Sequence, residues 1–291
     1  MSTRQELSTL IARTQSGYEL DVTKLLCLAN DADIELAAEA LVEGLPVAAG
    51  FANFYAIFTR ADADTVAQMN IWKGRPPTQT GSISTTTLRI PTLFDFSQLP
   101  PTLSEKRVLD VMEAFLNRGP IGFRGPAAAD IPLHMTGKDG EYRTAQTIVA
   151  GYRCPSNKLI ARAIEQVPER YLYITSANLS HHRTGIEEPA HWKPAPLIFD
   201  FRHIVNMQLI RHESEEFAHE QYAGYAEMST TVISFHRPAG SSNGRPALRL
   251  ERYGSMHIDD VRTILDRFDL GLEIAPAGQE RLQQRIYDFN R

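Results

Sequence analysis

Residues 171–178 read YLYITSAN, an apolar run that ends in the small polar residues Ser176 and Asn178. About a hundred residues earlier the chain reads KGRP, with Lys73 and Arg75 two positions apart. Lys supplies a compact positive charge and Arg a planar fork that fits phosphate oxygens, whereas Ser and Asn supply hydrogen bonds to a neighbouring group. The two segments together indicate a nucleotide clamp between a strand end and a basic loop.

The composition is that of an ordinary globular protein. With 291 residues, of which 43% are hydrophobic and 22% charged, the chain can bury a substantial core and fits one large domain or two small ones. The formal net charge of −5 gives no general attraction for polyanions. Binding of a nucleotide or a nucleic acid therefore has to depend on a local basic patch.

The cysteine content and the start of the chain bear on location. Cys27 and Cys154 cannot form a framework of several disulfides and suit a reducing compartment. The first residues, MSTRQEL, lack the apolar centre of a signal peptide, and no window approaches the roughly 20 apolar residues of a membrane span. We therefore expect a cytoplasmic protein with no membrane partner.

Helical and extended patterns alternate along the chain, which indicates an α/β fold. Helices are predicted over 31–42, from Asp62 or Asp64 through Met69, over 104–117, from Pro155 to Pro168, over 259–268 and over 279–287. The second of these helices delivers Lys73 and Arg75 into the loop after it. Strands are predicted over 45–58 (one strand or a pair), 88–96, 171–175 and 197–201, with a hairpin of 230–235 and 247–251 around Gly240–Gly244. Residues 124–146, rich in Gly, Ala and polar groups, are interpreted as a long connection.

The order of five short blocks resembles the YrdC/Sua5 family, whose members make threonylcarbamoyl-adenylate for tRNA modification. The family's Lys-x-Arg and distant Ser-x-Asn are matched by Lys73, Arg75, Ser176 and Asn178. The remaining blocks are similar to a Trp-Pro-Gly-Pro turn, to Val-Arg-Val-Pro, and to Ser-Thr-Val with a later Leu-Arg-Pro-Gly. The three blocks are NRGP at 117–120, YRCP at 152–155, and TTV at 230–232 taken together with LERYG at 250–254.

The resemblance covers roughly residues 38–265 and implies a YrdC-like twisted mixed sheet with flanking helices and a concave central cavity. It implies a YrdC-like domain at 36–268, an N-terminal extension at 1–35 and a C-terminal helical extension at 269–291, the single-domain form of the family. In that cavity Lys73 and Arg75 would act in catalysis and, with Arg252, contact phosphates. The other nucleotide-binding residues would be Arg153, Ser176, Asn178 and Thr230.

The reaction implied is nucleotidyl transfer from ATP. An amino acid or another small amine and bicarbonate give a carbamate, whose oxygen attacks the α-phosphorus of ATP and expels pyrophosphate. Charge neutralisation by Lys, Arg and the Mg²⁺ that accompanies ATP, with the reactants held in line, supplies most of the acceleration. The implied partners are therefore ATP, bicarbonate and an amine, with RNA as an alternative partner.

The family's threonine-side strand, Pro-Thr-Asp/Glu-Thr-x-Tyr-Gly-Leu, is rewritten in this chain. Alignment on Tyr55 puts Phe51 and Asn53 where the family has its two threonines, and Ala52 where it has the acidic residue. We therefore expect a substrate pocket formed by Phe51, Asn53 and Tyr55 and an acceptor other than threonine. After KGRP, the hydroxyl-rich run TGSIS at 80–84 replaces the family's Lys-Pro-Leu and can still contact phosphate.

Simpler interpretations stay open for every residue of the site. Lys73 and Arg75 can be a solvated helix end, and Ser176 and Asn178 can be a turn or a helix cap. Arg153 and Arg252 can be surface ion-pair partners, and Phe51 and Tyr55 can be core residues. His212, Glu216 and His219 can share a helical face, but no fourth ligand is evident, so no resident metal is predicted. Two other functions also stay open: a non-catalytic module that binds RNA or a nucleotide, and a carbamoyl-transfer enzyme of specialised biosynthesis.

Overall fold

The computed structural model describes residues 25–186, 188–239 and 244–287. The first 24 residues of the predicted N-terminal extension and the tip of the predicted hairpin at 240–243 lie outside this range. No helix in the described part of the chain has the length and apolarity to cross a membrane.

One mixed sheet of twelve strands forms the centre of the described chain, in the order β1-β9-β2-β3-β8-β4-β7-β5-β10-β11-β12, with β6 paired to β7. The sheet combines parallel pairs, such as β5 with β10 and β11 with β12, with antiparallel pairs such as β3 with β8. The α/β fold with a mixed sheet is therefore confirmed. The strands are β1 Leu26–Cys27, β2 Val47–Phe51, β3 Phe54–Arg60, β4 Ser82–Ser84, β5 Ile121–Pro126, β6 Thr136–Asp139, β7 Tyr142–Val149, β8 Leu172–Ser176, β9 Gln208–Arg211, β10 Val232–Ala239, β11 Ala247–Arg252 and β12 Gly271–Ile274.

Eight α-helices lie among the described residues, and five of them begin at a residue whose side chain caps the helix. Asp62 caps α2 by accepting from the Thr65 N–H at 2.9 Å, and Ser104 caps α3 by accepting from Arg107 N–H at 3.3 Å. The helices are α1 Asp31–Val42, α2 Ala63–Trp72, α3 Glu105–Arg118, α4 Ser156–Gln166, α5 His181–Thr184, α6 Pro194–Asp200, α7 Glu215–Gln221 and α8 Ile258–Asp266. Short 3₁₀ helices lie at Thr87–Leu93, Phe96–Gln98, Leu133–Met135 and Pro276–Gly278.

The two faces of the sheet bury different sets of side chains, because neighbouring strand residues point to opposite sides. The first face carries Tyr55 and Tyr173 and packs against α2, α3 and α8. The second face carries Phe58 and Ile174 and packs against α1 and α4.

The second face changes character along the sheet. Over β2, β3, β8 and β9 it is apolar and covered by α1 and α4. Over β7, β5 and β10 it carries the cross-strand row Gln146, Arg124 and Ser234, in which each side chain lies opposite the next. Since Gln146 and Arg124 stay partly exposed, this part of the face, called here the polar half, is available to ligands.

Two of the predicted strands are helical. Residues 88–96 form mainly the 3₁₀ helix Thr87–Leu93, because Pro91 lacks the N–H that a strand ladder needs. Residues 197–200 belong to α6 and Phe201 is its C-cap; Leu197, Ile198 and Phe201 are buried and Phe199 is exposed, a helical spacing. Pro194, at the first position of α6, is compatible with a helix start.

The predicted connection at 124–146 is instead the end of β5, all of β6 and most of β7. Its strands have an unusual composition for two reasons. A side chain at Gly125 would overlap the ring of Phe235, and the residues on the other side of these strands belong to the polar half. A strand of this kind has no run of apolar residues to mark it.

The predicted helix at 279–287 is also wrong. Residue Arg281 forms an isolated bridge with Tyr253, and Leu282 N–H donates to the Tyr253 carbonyl at 2.8 Å. The backbone here therefore bonds to the end of the sheet and not to itself. The predicted C-terminal helical extension begins with β12, which pairs with β11.

We predict that Gly254→Ala destabilises the fold. A Cβ at position 254 would overlap the backbone carbonyl oxygen of Ser229, and backbone cannot move aside as a flexible side chain can. We expect a loss of about 1–3 kcal/mol in unfolding free energy, measured by urea denaturation. Gly224→Ala is the matched control, since nothing lies within 4 Å of its added carbon. Equal stability of the two variants would contradict the prediction.

A second prediction concerns His212, which packs against Tyr55 with ring centroids 5.4 Å apart. Burial lowers the pKa of His212 from 6.5 to about 4. The unfolded chain therefore takes up a proton at a higher pH than the folded protein, and stability falls as the pH drops from about 6.5 to 4. This shift of the His212 pKa corresponds to about 3 kcal/mol in the free energy of unfolding.

Denaturation of the wild type and of His212→Phe at pH 8 and at pH 4.5 separates titration from packing. The loss of stability between the two pH values should be smaller in the variant. An equal loss in both proteins would exclude His212 as its cause.

Candidate functional site

A cavity of about 180 Å³ lies at the end of β8. Its apolar floor is formed by Ala56, Ile148 and Ile174 on the second face. Residues 79–81, which precede the three-residue strand β4, form part of the wall. The polar part of the lining comes from Arg75, Thr175, Ser176, Ser229, Thr230, Arg252 and Gln146.

Two arginines make the cavity positive. Arg75, at the end of α2, donates through Nη1 to Thr175 Oγ1 at 3.0 Å. Arg252, the last residue of β11, donates to the carbonyl of Thr230 at 2.8 Å and to its Oγ1 at 3.1 Å. The described lining contains no Asp or Glu. Such a cavity favours an anion that accepts several hydrogen bonds.

Lys73 lies behind the cavity wall. Its side chain is fully buried, and its ammonium donates to Thr175 Oγ1 at 2.9 Å and to the carbonyl of Ser176. It is not among the residues that line the cavity. Lys73 therefore fixes the end of β8, while Arg75 faces the cavity from the same loop.

Ser176 and Asn178 also divide their roles. Ser176 lines the cavity, and its hydroxyl donates to Asn178 Oδ1. Asn178 is buried, and its Nδ2 donates to the carbonyl of Leu179 at 2.9 Å. The amide thus orients the serine hydroxyl from behind and does not itself reach the cavity.

Arg153 is not brought to the cavity. β7 ends at Val149, and the turn that follows carries Arg153 into an exposed position ahead of α4. Its carbonyl accepts from Gln221 Nε2 at 3.1 Å. The structure therefore places Arg153 outside the described lining of the cavity, on the exposed side of this turn.

The predicted substrate-pocket residues lie in the protein core. Phe51 packs against Phe54 and Phe58, with ring centroids 5.5 and 6.0 Å away. Asn53 is buried in the turn between β2 and β3 and donates to the Tyr225 carbonyl at 2.8 Å.

Tyr55 points to the first face, against His212, and burial raises the pKa of its hydroxyl far above the usual value. The residues of β3 that line the cavity are Phe54 and Ala56, and Ala56 pairs with Ser176. Residues alternate between the two faces along a strand, so Phe54 and Ala56 could have been predicted to face the same side. The alignment instead selected Tyr55, which points to the first face.

Two further parts of the lining come from residues 79–82 and from Gln146, and the sequence pointed only to the first of them, through the hydroxyl-rich run at 80–84. Residues 79–82 reach the cavity because Asn70 Nδ2 donates to the carbonyls of Pro77 and Gln79, at 3.3 and 2.8 Å. Gln146 donates to Ser82 Oγ at 2.8 Å and joins the loop to β7. The hydroxyl-rich run after KGRP pointed to the loop, whereas Gln146 lay in the segment interpreted as a connection.

No protein-family model and no curated protein sequence matches the chain. Solved structures do match. Two structures of Sua5 from P. abyssi, one a doubly substituted form and one complexed with L-threonine, are each 19% identical, with TM-scores of 0.61 and 0.60. They cover 86% and 85% of this chain, which spans 64% and 60% of theirs, less than two thirds of their length.

Two other proteins give weaker matches. E. coli YciO is 15% identical with a TM-score of 0.52, over 72% of this chain and 86% of its own. HypF in a phosphate- and nucleotide-bound form is 18% identical with a TM-score of 0.51, over 75% of this chain and 28% of its own. At such identities the likeness concerns the fold alone. The resemblance found in the five sequence blocks is confirmed at that level: this chain has a YrdC/Sua5-like fold.

Proposed function

We propose that the protein binds ATP in the cavity between Arg75 and Arg252 and forms a carbamoyl-adenylate, releasing pyrophosphate. The observation that carries the proposal is the convergence of two guanidinium groups and the hydroxyls of Ser176 and Thr230 on a cavity whose described lining has no carboxylate. Among the proteins of similar fold, one Sua5 structure is complexed with L-threonine and one HypF structure is in a phosphate- and nucleotide-bound form.

The arginines would bind the phosphates of ATP. A guanidinium offers paired N–H donors to phosphate oxygens and stays charged at any physiological pH. Arg252 is held by Thr230 and Arg75 by Thr175, so both side chains are oriented before ligand binds. Orientation before binding lets the charge that develops on the phosphates be stabilised without reorganisation.

The reaction needs little acid-base catalysis from the protein. Bicarbonate and an amine give a carbamate and water, the carbamate oxygen forms a bond to the α-phosphorus, and the bond from that phosphorus to the pyrophosphate oxygen breaks. Mg²⁺, bound to the phosphates and mostly to water, would neutralise part of the charge. The described residues would contribute by position and by positive charge.

The acceptor amine would lie against Phe54 and Ala56, close to Ser176. Both side chains are apolar, and Ile148 and Ile174 continue the apolar floor. We propose that this surface selects an amine other than threonine. The test is a panel of amino acids and other amines.

The first test measures pyrophosphate release from ATP and bicarbonate in the presence of each amine, and ATP affinity by calorimetry. We expect Arg252→Met and Arg75→Met to lower activity by about 10²–10³, the range for loss of one donor to a developing negative charge. Arg153→Met is the matched control and should keep its activity, because Arg153 lies outside the cavity.

Absence of ATP binding would overturn the proposal. ATP binding without pyrophosphate release across the whole panel would favour a non-catalytic nucleotide-binding module. Transfer of a carbamoyl group to the amine, detected by mass spectrometry, would favour carbamoyl transfer.

A second prediction concerns Lys73→Met. Removal of the ammonium takes the charged donor from the buried Ser176 carbonyl and leaves the Thr175 hydroxyl with Arg75 Nη1 as its donor, so we expect a loss of about 1–3 kcal/mol in unfolding free energy. Lys106→Met is the control, since Lys106 is 83% exposed and such substitutions change stability little. A stable Lys73→Met variant that has lost ATP affinity would instead make Lys73 a direct phosphate ligand.

A further inference from the structure

A cluster of metal-ligand side chains lies on the polar half of the second face, beyond Arg252. Its members are Asp139 at the end of β6, His236 on β10 and Glu251 on β11. His236 follows Ser234 by two residues along β10 and so lies on the same face as the row described above. Glu251 directly precedes Arg252, which places the cluster next to the cavity.

The three side chains offer one ligand atom each, and these atoms lie within 4.8 Å of one another. The imidazole of His236 is fully buried, and its Nε2 lies 2.7 Å from Asp139 Oδ2. Its Nδ1 is buried and has no hydrogen-bond partner among the described residues. The nitrogen that faces the Asp139 carboxylate, and that would bind a cation there, is therefore Nε2.

We propose that Asp139, His236 and Glu251 bind one divalent transition-metal cation through one imidazole nitrogen and two carboxylate oxygens. The inference depends on the cluster alone and not on the proposed function. One nitrogen and two oxygens, with water in the remaining positions, suit Mn²⁺ or Zn²⁺ better than Ca²⁺, which takes oxygen ligands.

Both carboxylates are already oriented by neighbours. Arg237 donates to Oδ1 of Asp139, which leaves Oδ2 directed at His236. The hydroxyl of Ser234 donates to Oε1 of Glu251 at 2.7 Å. Outer hydrogen bonds of this kind hold ligands in place at metal sites.

The imidazole is also held in position, and cation entry needs a small opening of the cluster. The His236 ring packs edge-on against Tyr142, with centroids 5.6 Å apart. Metal–ligand bonds of about 2.0–2.2 Å at a right angle separate two ligand atoms by about 3 Å. The present 2.7 Å contact therefore has to widen by a few tenths of an ångström, and the ring proton has to lie on Nδ1.

Two cations nearby limit the expected affinity. Arg237 offsets the charge of Asp139, and Arg124 lies close by on β5, donating to Thr144 Oγ1 at 3.0 Å. A dication has to bind next to both. We therefore expect weaker binding than at a structural zinc site with four protein ligands, and a site that exchanges its metal.

The test uses the whole chain after treatment with EDTA and dialysis, without nucleotide. Mn²⁺ is titrated in, free Mn²⁺ is followed by electron paramagnetic resonance, and Zn²⁺ is then added as a competitor. We expect one Mn²⁺ per chain, displaced by Zn²⁺, and a rise in the thermal midpoint with either metal. Asp139→Asn and Glu251→Gln should each weaken binding at least tenfold and abolish the rise.

Glu227→Gln is the matched control. Glu227 pairs with His219 at 3.0 Å but belongs to no cluster of three ligands among the described residues. The control should bind Mn²⁺ like the wild type. The thermal midpoint of each variant without metal reports its folding. No binding of Mn²⁺ or Zn²⁺ to the wild type, or unchanged binding in folded Asp139→Asn and Glu251→Gln, would overturn the proposal.

Discussion

The buried ammonium of Lys73 is the contact on which the candidate site depends. A charge taken out of water needs acceptors at close range, since an uncompensated one costs far more than a lost hydrogen bond. Thr175 Oγ1 and the Ser176 carbonyl supply them, and the Lys73 carbonyl in turn accepts from Ser180 N–H at 3.2 Å. The end of α2 is therefore fixed to the end of β8, and two segments a hundred residues apart become one wall.

The uneven second face of the sheet explains where ligands can bind. α1 and α4 bury its apolar half, while β7, β5 and β10 carry Gln146, Arg124 and Ser234 on the other half. A strand with a polar ligand-facing side and close packing on the other side needs glycine and polar residues. That composition also hid 124–146 from prediction, because strands are recognised by apolar and β-branched residues.

The sequence motifs named four side chains that share one cavity and several others that do not reach it. Arg75, Ser176, Thr230 and Arg252 meet at one cavity, as the resemblance implied. Lys73 and Asn178, in the same motifs, support it from behind, and Tyr55 points to the other face. A motif identifies a strand end or a turn, but alternation along the backbone decides which neighbour faces the ligand. The short apolar run at 197–201 has the same limit, since it fits a buried strand and a buried helix equally well.

Both candidate sites meet at β11 because of an irregularity in its pairing. Val232 pairs with Arg252 and Ile233 with Leu250, so one extra residue, Glu251, lies between them on β11. Consecutive residues normally point to opposite faces, and a bulge redirects one of them. The result is that Arg252 reaches the cavity while Glu251 reaches Ser234 and the His236 cluster. The extra residue in β11 thus places Arg252, which would bind an anion, next to Glu251, which would bind a cation, on the same face of the sheet.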